Sequence, residues 1–312
     1  MSFRQKDLLG LRDLPPDDIR QILHSAETMR FVVNQPIKRA PHLLGKSIVE
    51  LFYKESTRTR LSFSLATKYM QGTMSSVSFE DNENPRESLV EIAKTLDRMG
   101  ADTIIIRHPM SGAAELAARN VRCSVINAGD GFNEHPTQAL VDLFTILQHK
   151  GHIAGLRVAI VGDIMHSRVA KSNIYGLTKL GAKVSVGAPA TLLPSGLERL
   201  GVEVFSTLQE AIIDSDVVMV VQVKEEMLKE LRVPSKGEYG RFFSVNDERM
   251  KIAKPDAVFL HSGPIIKGVE VSSDIINSPC SLVEEQVTNG VAVQMAILHM
   301  FSKRVGANEI TY

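Results

Sequence analysis

The sequence contains little of several residue types that mark particular classes of protein. Its 312 residues include only Cys123 and Cys280 as cysteines, which excludes a disulfide framework or a cysteine-rich zinc site. Neither sign of charge predominates, because Lys plus Arg and Asp plus Glu each total 36, and this argues against a general binder of nucleic acid or membrane surfaces. No apolar run approaches the ~18 residues of a membrane span, and the N-terminal residues show no signal-peptide core. We therefore expect a protein of the reducing cytoplasm.

What is present is a regular alternation of two kinds of segment. Apolar residues make up 44% of the chain and charged residues 23%, the balance of a globular protein. Runs rich in Val and Ile predict strands at Ser47–Tyr53, Thr103–Arg107, Ser124–Asn127, Arg157–Val161, Lys183–Gly187, Val217–Val221 and Ala257–His261. Helical periodicity between them predicts helices at Thr57–Met70, Ser88–Met99, Thr137–His149 and Arg168–Leu180. Apolar strands that alternate with helices indicate a doubly wound parallel sheet covered on both faces.

The length of the chain permits two such sheets. The polar segment Gln148–Gly155 follows a long helical pattern and is a place where a second sheet can begin. We expect two doubly wound α/β domains, the first formed by residues 1–136 and 287–312 and the second by residues 137–286. The helical pattern Glu284–Ser302 has no strand after it, and we expect this last helix to cross back to the first domain.

The residues that follow each strand are the candidates for chemistry, because ligands of doubly wound sheets bind at the carboxyl ends of the strands. After the first strand comes Ser56-Thr57-Arg58-Thr59-Arg60, at the start of an amphipathic helix. Ser and Thr at a helix start cap free backbone N–H groups, and together with the helix dipole and Arg58 they suit a phosphate. The alternative is an ordinary helix cap with solvated arginines.

Two further strand ends carry polar side chains. Arg107-His108-Pro109 ends one predicted strand, and His135-Pro136-Thr137-Gln138 begins a helix after the turn Gly129-Asp130-Gly131. A single His at such a junction is more often a structural cap than a catalyst. Three strand ends that offer Arg, His, Gln and hydroxyl groups to one crevice make a stronger case for a functional site.

These segments, in their order along the chain, resemble the aspartate/ornithine carbamoyltransferase family. The resemblance covers nearly the whole chain, and the His-Ser-Arg-Val form after Gly-Asp looks like the aspartate branch of that family. The segments that carry it are Ser56–Arg60 with Ser62-Phe63, Arg107–Pro109, Asn127–Gly131, His135–Gln138, Val161–Ala170, Gly268–Glu270 and Asn289–Val291.

The resemblance implies a reaction without metal or cofactor. The amine of an amino-acid acceptor, aspartate by default, attacks the carbonyl carbon of carbamoyl phosphate, and phosphate leaves the tetrahedral intermediate. The first domain would bind carbamoyl phosphate through Ser56, Thr57, Arg58, Thr59, Arg107, His135 and Gln138. Of these, the catalytic residues that stabilise the oxyanion and the leaving phosphate would be Arg58, Thr59, Arg107 and His135. The second domain would bind the acceptor through Arg168, Gln222, Lys224, Gly263 and Pro264.

The resemblance also implies a homotrimer, because a family loop of the form S-x-x-K-G-E reaches the site of a neighbouring subunit. Here this loop corresponds to Glu80–Ser88, which is acidic, with Pro85 at the Lys position and Arg86 one place along. Whether Glu80–Glu87 serves a neighbour is left open by the sequence. Regulatory or dihydroorotase chains are further partners that the family allows.

The acceptor side departs from the family pattern as well. The family segment R-x-Q is Gln222-Val223-Lys224 here, so Gln222 stands where the family has an Arg that holds a carboxylate. This replacement removes charge-assisted hydrogen bonds worth roughly 1.5–3 kcal/mol each. Lys224 restores a positive charge two residues on, on the same side of an extended chain. The family segment H-P-x-P appears as His261–Pro264, and Glu225–Asn246 reads as a long, functional or mobile loop.

Several functions remain compatible with these departures. The default is a carbamoyltransferase that uses aspartate, and the alternatives are a different amine acceptor or an impaired paralogue with a structural or regulatory role. A dinucleotide-binding dehydrogenase is opposed by Gly162–Ser167, because no G-x-G-x-x-G follows the strand there.

Overall fold

The computed structural model describes residues 3–54, 56–79, 87–223 and 235–302. The contacts of the chain divide it into two compact units. The first unit contains the chain up to Leu140 and from Asn289 onward, and the second contains Val141–Thr288. Within the described residues, no helix combines the length and the apolar character of a membrane span.

The first unit is built on a parallel sheet of four strands in the order β2-β1-β3-β4. The strands are β1 Ser47–Phe52, β2 Thr73–Ser78, β3 Thr103–His108 and β4 Ser124–Asp130. The helices are α1 Pro16–Val33, α2 Thr57–Tyr69, α3 Leu89–Arg98, α4 Ala113–Ala118 and the beginning of α5, Pro136–Lys150. Nearly every residue of β1, β3 and β4 is buried, as expected for a sheet with helices on both faces.

The second unit is built on a parallel sheet of five strands in the order β7-β6-β5-β8-β9. The strands are β5 Arg157–Gly162, β6 Lys183–Gly187, β7 Val202–Phe205, β8 Val217–Val221 and β9 Val258–His261. The helices are the end of α5, then α6 Arg168–Lys179, α7 Leu208–Ile212, α8 Lys236–Phe243, α9 Asp247–Met250, α10 Ser273–Ile276 and the beginning of α11, Val283–Phe301, with 3₁₀ turns at Ala190–Leu192 and Leu197–Leu200. Its core includes alternate residues of β5 and β8, such as Val161 and Val218.

The last helix returns to the first unit, as predicted. The chain at the end of α11 contacts β3 and β4, where Thr103 Oγ1 and Ser302 Oγ are 2.9 Å apart and the Ser124 hydroxyl donates to the Phe301 carbonyl. Phe301 also packs edge-on against Phe3, with ring centroids 4.9 Å apart. These buried polar contacts satisfy groups that would otherwise be left without partners in the core.

The predicted fold class and seven strands are confirmed, with ends that differ by a few residues. The strands β2 and β7, which lie at the edges of their sheets, and the helix α1 were not predicted. The reading of Glu225–Asn246 as one loop is wrong in its second part, because α8 begins at Lys236 after the N-cap Ser235, whose Oγ accepts from the Glu238 N–H at 3.0 Å. Residues 224–234 lie outside the described residues.

Candidate active site

The residues predicted to bind a phosphate follow three neighbouring strands of the first sheet. Ser56–Thr59 come after β1, Arg107 is the penultimate residue of β3, and His135 and Gln138 follow β4. The strand ends are in register, since Phe52 pairs with Arg107 and the Tyr53 N–H donates to the Arg107 carbonyl at 2.9 Å. These residues are called the phosphate cluster below: Ser56, Thr57, Arg58, Thr59, Arg107, His135 and Gln138.

The first turn of α2 differs in one respect from the prediction. Ser56 is the N-cap residue with extended backbone, but its side chain caps no backbone N–H group. Instead the Ser56 hydroxyl donates to Thr59 Oγ1 at 2.9 Å, and the Arg60 N–H closes the turn on the Ser56 carbonyl at 3.0 Å. The side chain of Ser56 thus leaves the helix start uncapped, a helix start generally favours an anion, and Thr57 and Arg58 are exposed in this turn.

Arg107 is anchored from the side of β4. Its Nη1 donates to the Ala128 carbonyl at 3.1 Å, which fixes one edge of the guanidinium against the neighbouring strand end. The side chain is half-buried, so its charge acts in surroundings less polar than water. A guanidinium held in this way is suited to bidentate recognition of phosphate or carbonyl oxygens.

The hydrogen bonds of His135 determine which ring nitrogen carries the proton. The Gln138 backbone N–H donates to His135 Nδ1 at 3.4 Å, and the Thr137 hydroxyl lies 3.2 Å from the same atom. Because Nδ1 accepts, the proton of the neutral imidazole lies on Nε2. His135 therefore combines the structural role that its position predicts with a ring N–H that can serve as a hydrogen-bond donor.

The turn between β4 and α5 places His135 through buried polar contacts. Asn127 Nδ2 donates to Asp130 Oδ1 at 2.8 Å, and Asn127 Oδ1 accepts from the Gly129 N–H at 2.8 Å. Gly131 has φ +47°, and a Cβ there would lie 2.5 Å from the backbone nitrogen of Ser111. Only glycine fits this position without displacing the neighbouring loop.

Three rings at the ends of β1, β2 and β3 form an aromatic group that was not predicted. Tyr53 stacks on Phe79 with ring centroids 4.6 Å apart and meets His108 edge-on at 4.4 Å. Burial lowers the pKa of His108, and its Nδ1 accepts from the Met110 N–H at 3.0 Å. Burial also raises the pKa of Tyr53. Both rings are therefore neutral supports for the strand ends near pH 7.

The residues predicted to bind the acceptor follow three neighbouring strands of the second sheet. Arg168 is the first residue of α6, after β5, Gln222 follows β8, and Gly263 and Pro264 follow β9. These four residues are called the acceptor cluster below. Lys224, Pro85 and Arg86 lie outside the described residues.

A buried pair positions Arg168 at the start of α6. Asp163 Oδ1 accepts from the His166 N–H at 3.1 Å and lies 2.9 Å from His166 Nδ1, and both residues are buried. Ser167 caps the helix, since its hydroxyl oxygen accepts from the Ala170 N–H at 3.1 Å. The Arg168 side chain is half-buried at this capped helix start.

Glu270 connects the other two segments of the acceptor cluster. Its side chain is completely buried and accepts from the Val223 N–H at 2.7 Å and from the Ile266 N–H at 2.8 Å. His261 Nε2 lies 3.2 Å from the same carboxylate, while His261 Nδ1 accepts from the Gly263 N–H at 2.8 Å. Glu270 belongs to a segment that resembles the family, but no role was predicted for it.

In the described part of the chain, no cluster of three or more His, Cys, Asp or Glu side chains is arranged to hold a metal ion. Each of the two clusters, taken by itself, offers cationic and neutral hydrogen-bond donors. Such a set can bind anionic groups and stabilise an oxyanion as it forms.

Comparison with protein families gives two matches that together cover most of the chain. Residues 6–148 match the family model described as aspartate/ornithine carbamoyltransferase, carbamoyl-P binding domain. Residues 154–301 match the model described as aspartate/ornithine carbamoyltransferase, Asp/Orn binding domain.

Individual proteins are similar to the chain over nearly its full length. An aspartate carbamoyltransferase catalytic subunit of Ruminiclostridium cellulolyticum is 54% identical over 312 residues, which are 100% of both chains. The structure of an ornithine carbamoyltransferase from Pyrococcus furiosus has a TM-score of 0.86 at 32% identity and covers 96% of this chain and 97% of its own. An aspartate transcarbamoylase from Trypanosoma cruzi, solved with carbamoyl phosphate and aspartate, has a TM-score of 0.84 at 26% identity, covering 96% and 97%.

Proposed function

Because this chain belongs to the aspartate/ornithine carbamoyltransferase family, we propose that it transfers the carbamoyl group of carbamoyl phosphate to the amino group of aspartate. The product is N-carbamoyl-L-aspartate, an intermediate of pyrimidine synthesis. The observation that carries the proposal is the full-length similarity to a catalytic subunit of that activity, together with a complete set of phosphate-cluster residues at three adjacent strand ends.

The phosphate cluster holds carbamoyl phosphate in the first unit. The first turn of α2 offers backbone N–H groups, the hydroxyls of Thr57 and Thr59 and the charge of Arg58 to the phosphate. Arg107, anchored on the Ala128 carbonyl, is placed at the neighbouring strand end to bind a phosphate or carbonyl oxygen. Gln138 contributes an amide at the start of α5.

His135 stabilises the oxyanion that forms on the carbonyl oxygen. Its Nε2–H is the donor, because the Gln138 N–H occupies Nδ1 and fixes the tautomer. The neutral amine attacks the carbonyl carbon, the C–O bond to phosphate then breaks, the proton lost by the amine leaves with the phosphate, and Arg58 and Arg107 stabilise the charge of the leaving group. Removal of one such donor typically lowers kcat by about 10²- to 10³-fold.

The acceptor cluster selects the amine. Arg168, at the capped start of α6, binds a carboxylate of the amino acid, and Gly263 and Pro264 form a wall of the pocket. Gln222 contributes an amide where the family has a cationic Arg, so the second carboxylate of aspartate is held by fewer charge-assisted bonds.

The test of the phosphate cluster is a calorimetric titration with carbamoyl phosphate, followed by measurement of phosphate release with aspartate. Arg58→Ala should abolish binding, because it removes a charge at the head of α2. Arg119→Ala is the matched control, since Arg119 is an exposed arginine of the same unit, paired with Glu115. Binding that is unchanged in Arg58→Ala would reject the assignment of the cluster.

Gln222 favours a second candidate function, which is either transfer to a different amine acceptor or a structural or regulatory role in a paralogue with weak activity. The variant Gln222→Arg distinguishes this second candidate from an aspartate carbamoyltransferase. If aspartate is the acceptor, the variant should carbamoylate it at a KM at least about tenfold lower, because one charge-assisted bond is restored. No gain with aspartate, together with phosphate release in a screen of other amines, would favour the second candidate.

The assembly and location follow from the same family. We propose a cytoplasmic homotrimer, with regulatory or dihydroorotase chains as further partners, in which the first unit is the carbamoyl-phosphate-binding domain and the second unit is the amino-acid-binding domain. Light scattering of the purified protein tests the trimer, and a monomer at micromolar concentration would contradict it.

A further inference from the structure

A buried carboxyl group lies beneath the phosphate cluster and has no role in the reaction described above. Glu50 is in the middle of β1 and only 2% exposed. Its neighbours Val49 and Leu51 pack in the core together with residues of α3 and α4. Because side chains alternate along a strand, Glu50 points to the opposite face of the sheet, where Arg60 of α2 lies.

Glu50 contacts α2 through a short chain of polar groups, called the Glu50–Ser76–Arg60 cluster below. Ser76, its register partner on β2, donates from Oγ to Glu50 Oε2 at 3.1 Å. Arg60 Nη2 donates to the same Ser76 oxygen at 2.9 Å, and Arg60 Nε lies 3.8 Å from Glu50 Oε2. The Arg60 backbone N–H in turn closes the first turn of α2 on the Ser56 carbonyl.

The other oxygen of Glu50 is buried and has no hydrogen-bond partner within the described residues. Burial raises the pKa of Glu50 to about 7, against the smaller opposing effects of Ser76 and Arg60. A carboxyl group placed in this way weakens the fold when it ionises, and such arrangements occur preferentially at functional sites.

Resting on the function proposed above, we propose that Glu50 is a positioning residue for carbamoyl phosphate. Its carboxylate, acting through Ser76 and Arg60, holds the first turn of α2 in the orientation that binds the phosphate. Arg60 is thereby kept on the sheet side of the helix, and the residues of the same turn, Ser56–Thr59, are presented to the ligand. Glu50 itself does not touch the substrate.

The positioning role of Glu50 depends on pH in a defined direction. Of the groups that face Glu50, Arg60 on α2 carries a charge, while its register partners Ser76 on β2 and Ile105 on β3 carry none. The carboxylate pairs with Arg60 only when it is ionised, so the turn is held above pH ~7 and released below. Repulsion of the phosphate by Glu50 is small, because the pair with Arg60 is neutral as a whole.

The experiment compares dissociation constants for carbamoyl phosphate, measured by calorimetry on the full chain at pH 6 and pH 8. Glu50→Gln keeps the size of the side chain and removes its charge. The ratio of the variant's Kd to that of wild type should be near one at pH 6 and about fivefold at pH 8, the size expected for a partly buried ion pair. Titration of the ligand itself cancels in this ratio.

Two further variants separate positioning from a general effect on the fold. Arg60→Gln should weaken binding at pH 8 by a similar factor, and adding Glu50→Gln to it should have no further effect, because the two residues act as one unit. Glu115→Gln is the matched control, since Glu115 pairs with Arg119 on the surface of the same unit, and its Kd should equal that of wild type at both pH values.

Three results would overturn the inference. The first two concern the ratio of the Glu50→Gln Kd to the wild-type Kd, which would be one at both pH values or would exceed one without depending on pH. The third is tighter binding by Glu50→Gln at pH 8, which would mean that the carboxylate acts only by repelling the ligand. If wild type binds no carbamoyl phosphate, the proposed function fails and this inference with it. If wild type binds and Arg58→Ala does not, an unaffected Glu50→Gln overturns the inference alone.

Discussion

The two units hold their site segments by buried glutamates of opposite character. Glu270 in the second unit accepts hydrogen bonds from the Val223 and Ile266 N–H groups and contacts His261, so both of its oxygens are satisfied. Glu50 in the first unit has one oxygen bonded to Ser76 and another without a partner among the described residues. One carboxyl group therefore stabilises its surroundings, whereas the other costs stability when it is charged.

This difference indicates how the two clusters can change. In the second unit the hydrogen bonds of Glu270 fix the backbone after β8 and β9. A side chain such as Gln222 can therefore replace another without moving that backbone. In the first unit the side chains of the cluster match the family, but the orientation of their helix depends on a titrating group. Substitutions can therefore change the specificity for the acceptor in the second unit, whereas pH can change the affinity for carbamoyl phosphate in the first unit.

The largest effect is expected from Glu270→Ala. The change leaves the buried Val223 N–H and the partly buried Ile266 N–H without their acceptor, and each unsatisfied buried donor costs about 1–3 kcal/mol. We expect the free energy of unfolding, measured in urea, to fall by about 3 kcal/mol or more, with a loss of aspartate use in the folded fraction.

Glu248→Gln is the control for Glu270→Ala. Glu248 lies in the same unit but forms an exposed pair with Lys251, so no measurable change in the urea midpoint is expected. Equal midpoints for Glu270→Ala and wild type would show that the loops after β8 and β9 do not depend on this carboxylate.

A smaller effect of defined sign is expected for Glu50. Its pKa in the folded protein, about 7, lies above the value of 4.5 for an unperturbed glutamate, so the stability that it contributes is complete at low pH and is lost as the pH rises through 7. The unfolding free energy of wild type relative to Glu50→Gln should therefore fall by about 1–3 kcal/mol between pH 5 and pH 8. A rise, or no change, in urea unfolding over this range would place the carboxyl group in a polar environment and remove the contrast with Glu270.

The alternation of apolar runs and helical patterns was sufficient to predict the fold class and seven strands. β2 was missed because its sequence, Thr73–Ser78, is mostly polar, as a strand at a sheet edge can be. α1 could have been found, since it begins at Pro16 with Asp17 and Asp18 in its first turn.

The segments of the phosphate cluster were predicted from their residue types, because strand ends in a doubly wound sheet are the expected place for a site, and the residues of the acceptor cluster were predicted from the resemblance to the family. Their supports were not, because those contacts join residues that are distant in sequence. Val223 and Glu270 are 47 positions apart, and Glu50 and Ser76 are 26 apart. No local pattern encodes such pairs. A Glu within an otherwise apolar strand was the one signal available for Glu50.

The smallest effect concerns two serines that both stand at the N-cap of a helix in the first unit. Ser88 forms a capping box with Glu91, and Ser88→Ala should lower the free energy of unfolding by about 1 kcal/mol. Ser56 makes no such bond, so Ser56→Ala should cost less than about 0.5 kcal/mol while weakening carbamoyl phosphate binding. Urea unfolding of the two variants measures the difference. If Ser56→Ala proves as costly as Ser88→Ala, its hydroxyl caps α2 in solution, and the first-turn N–H groups are then not reserved for the ligand.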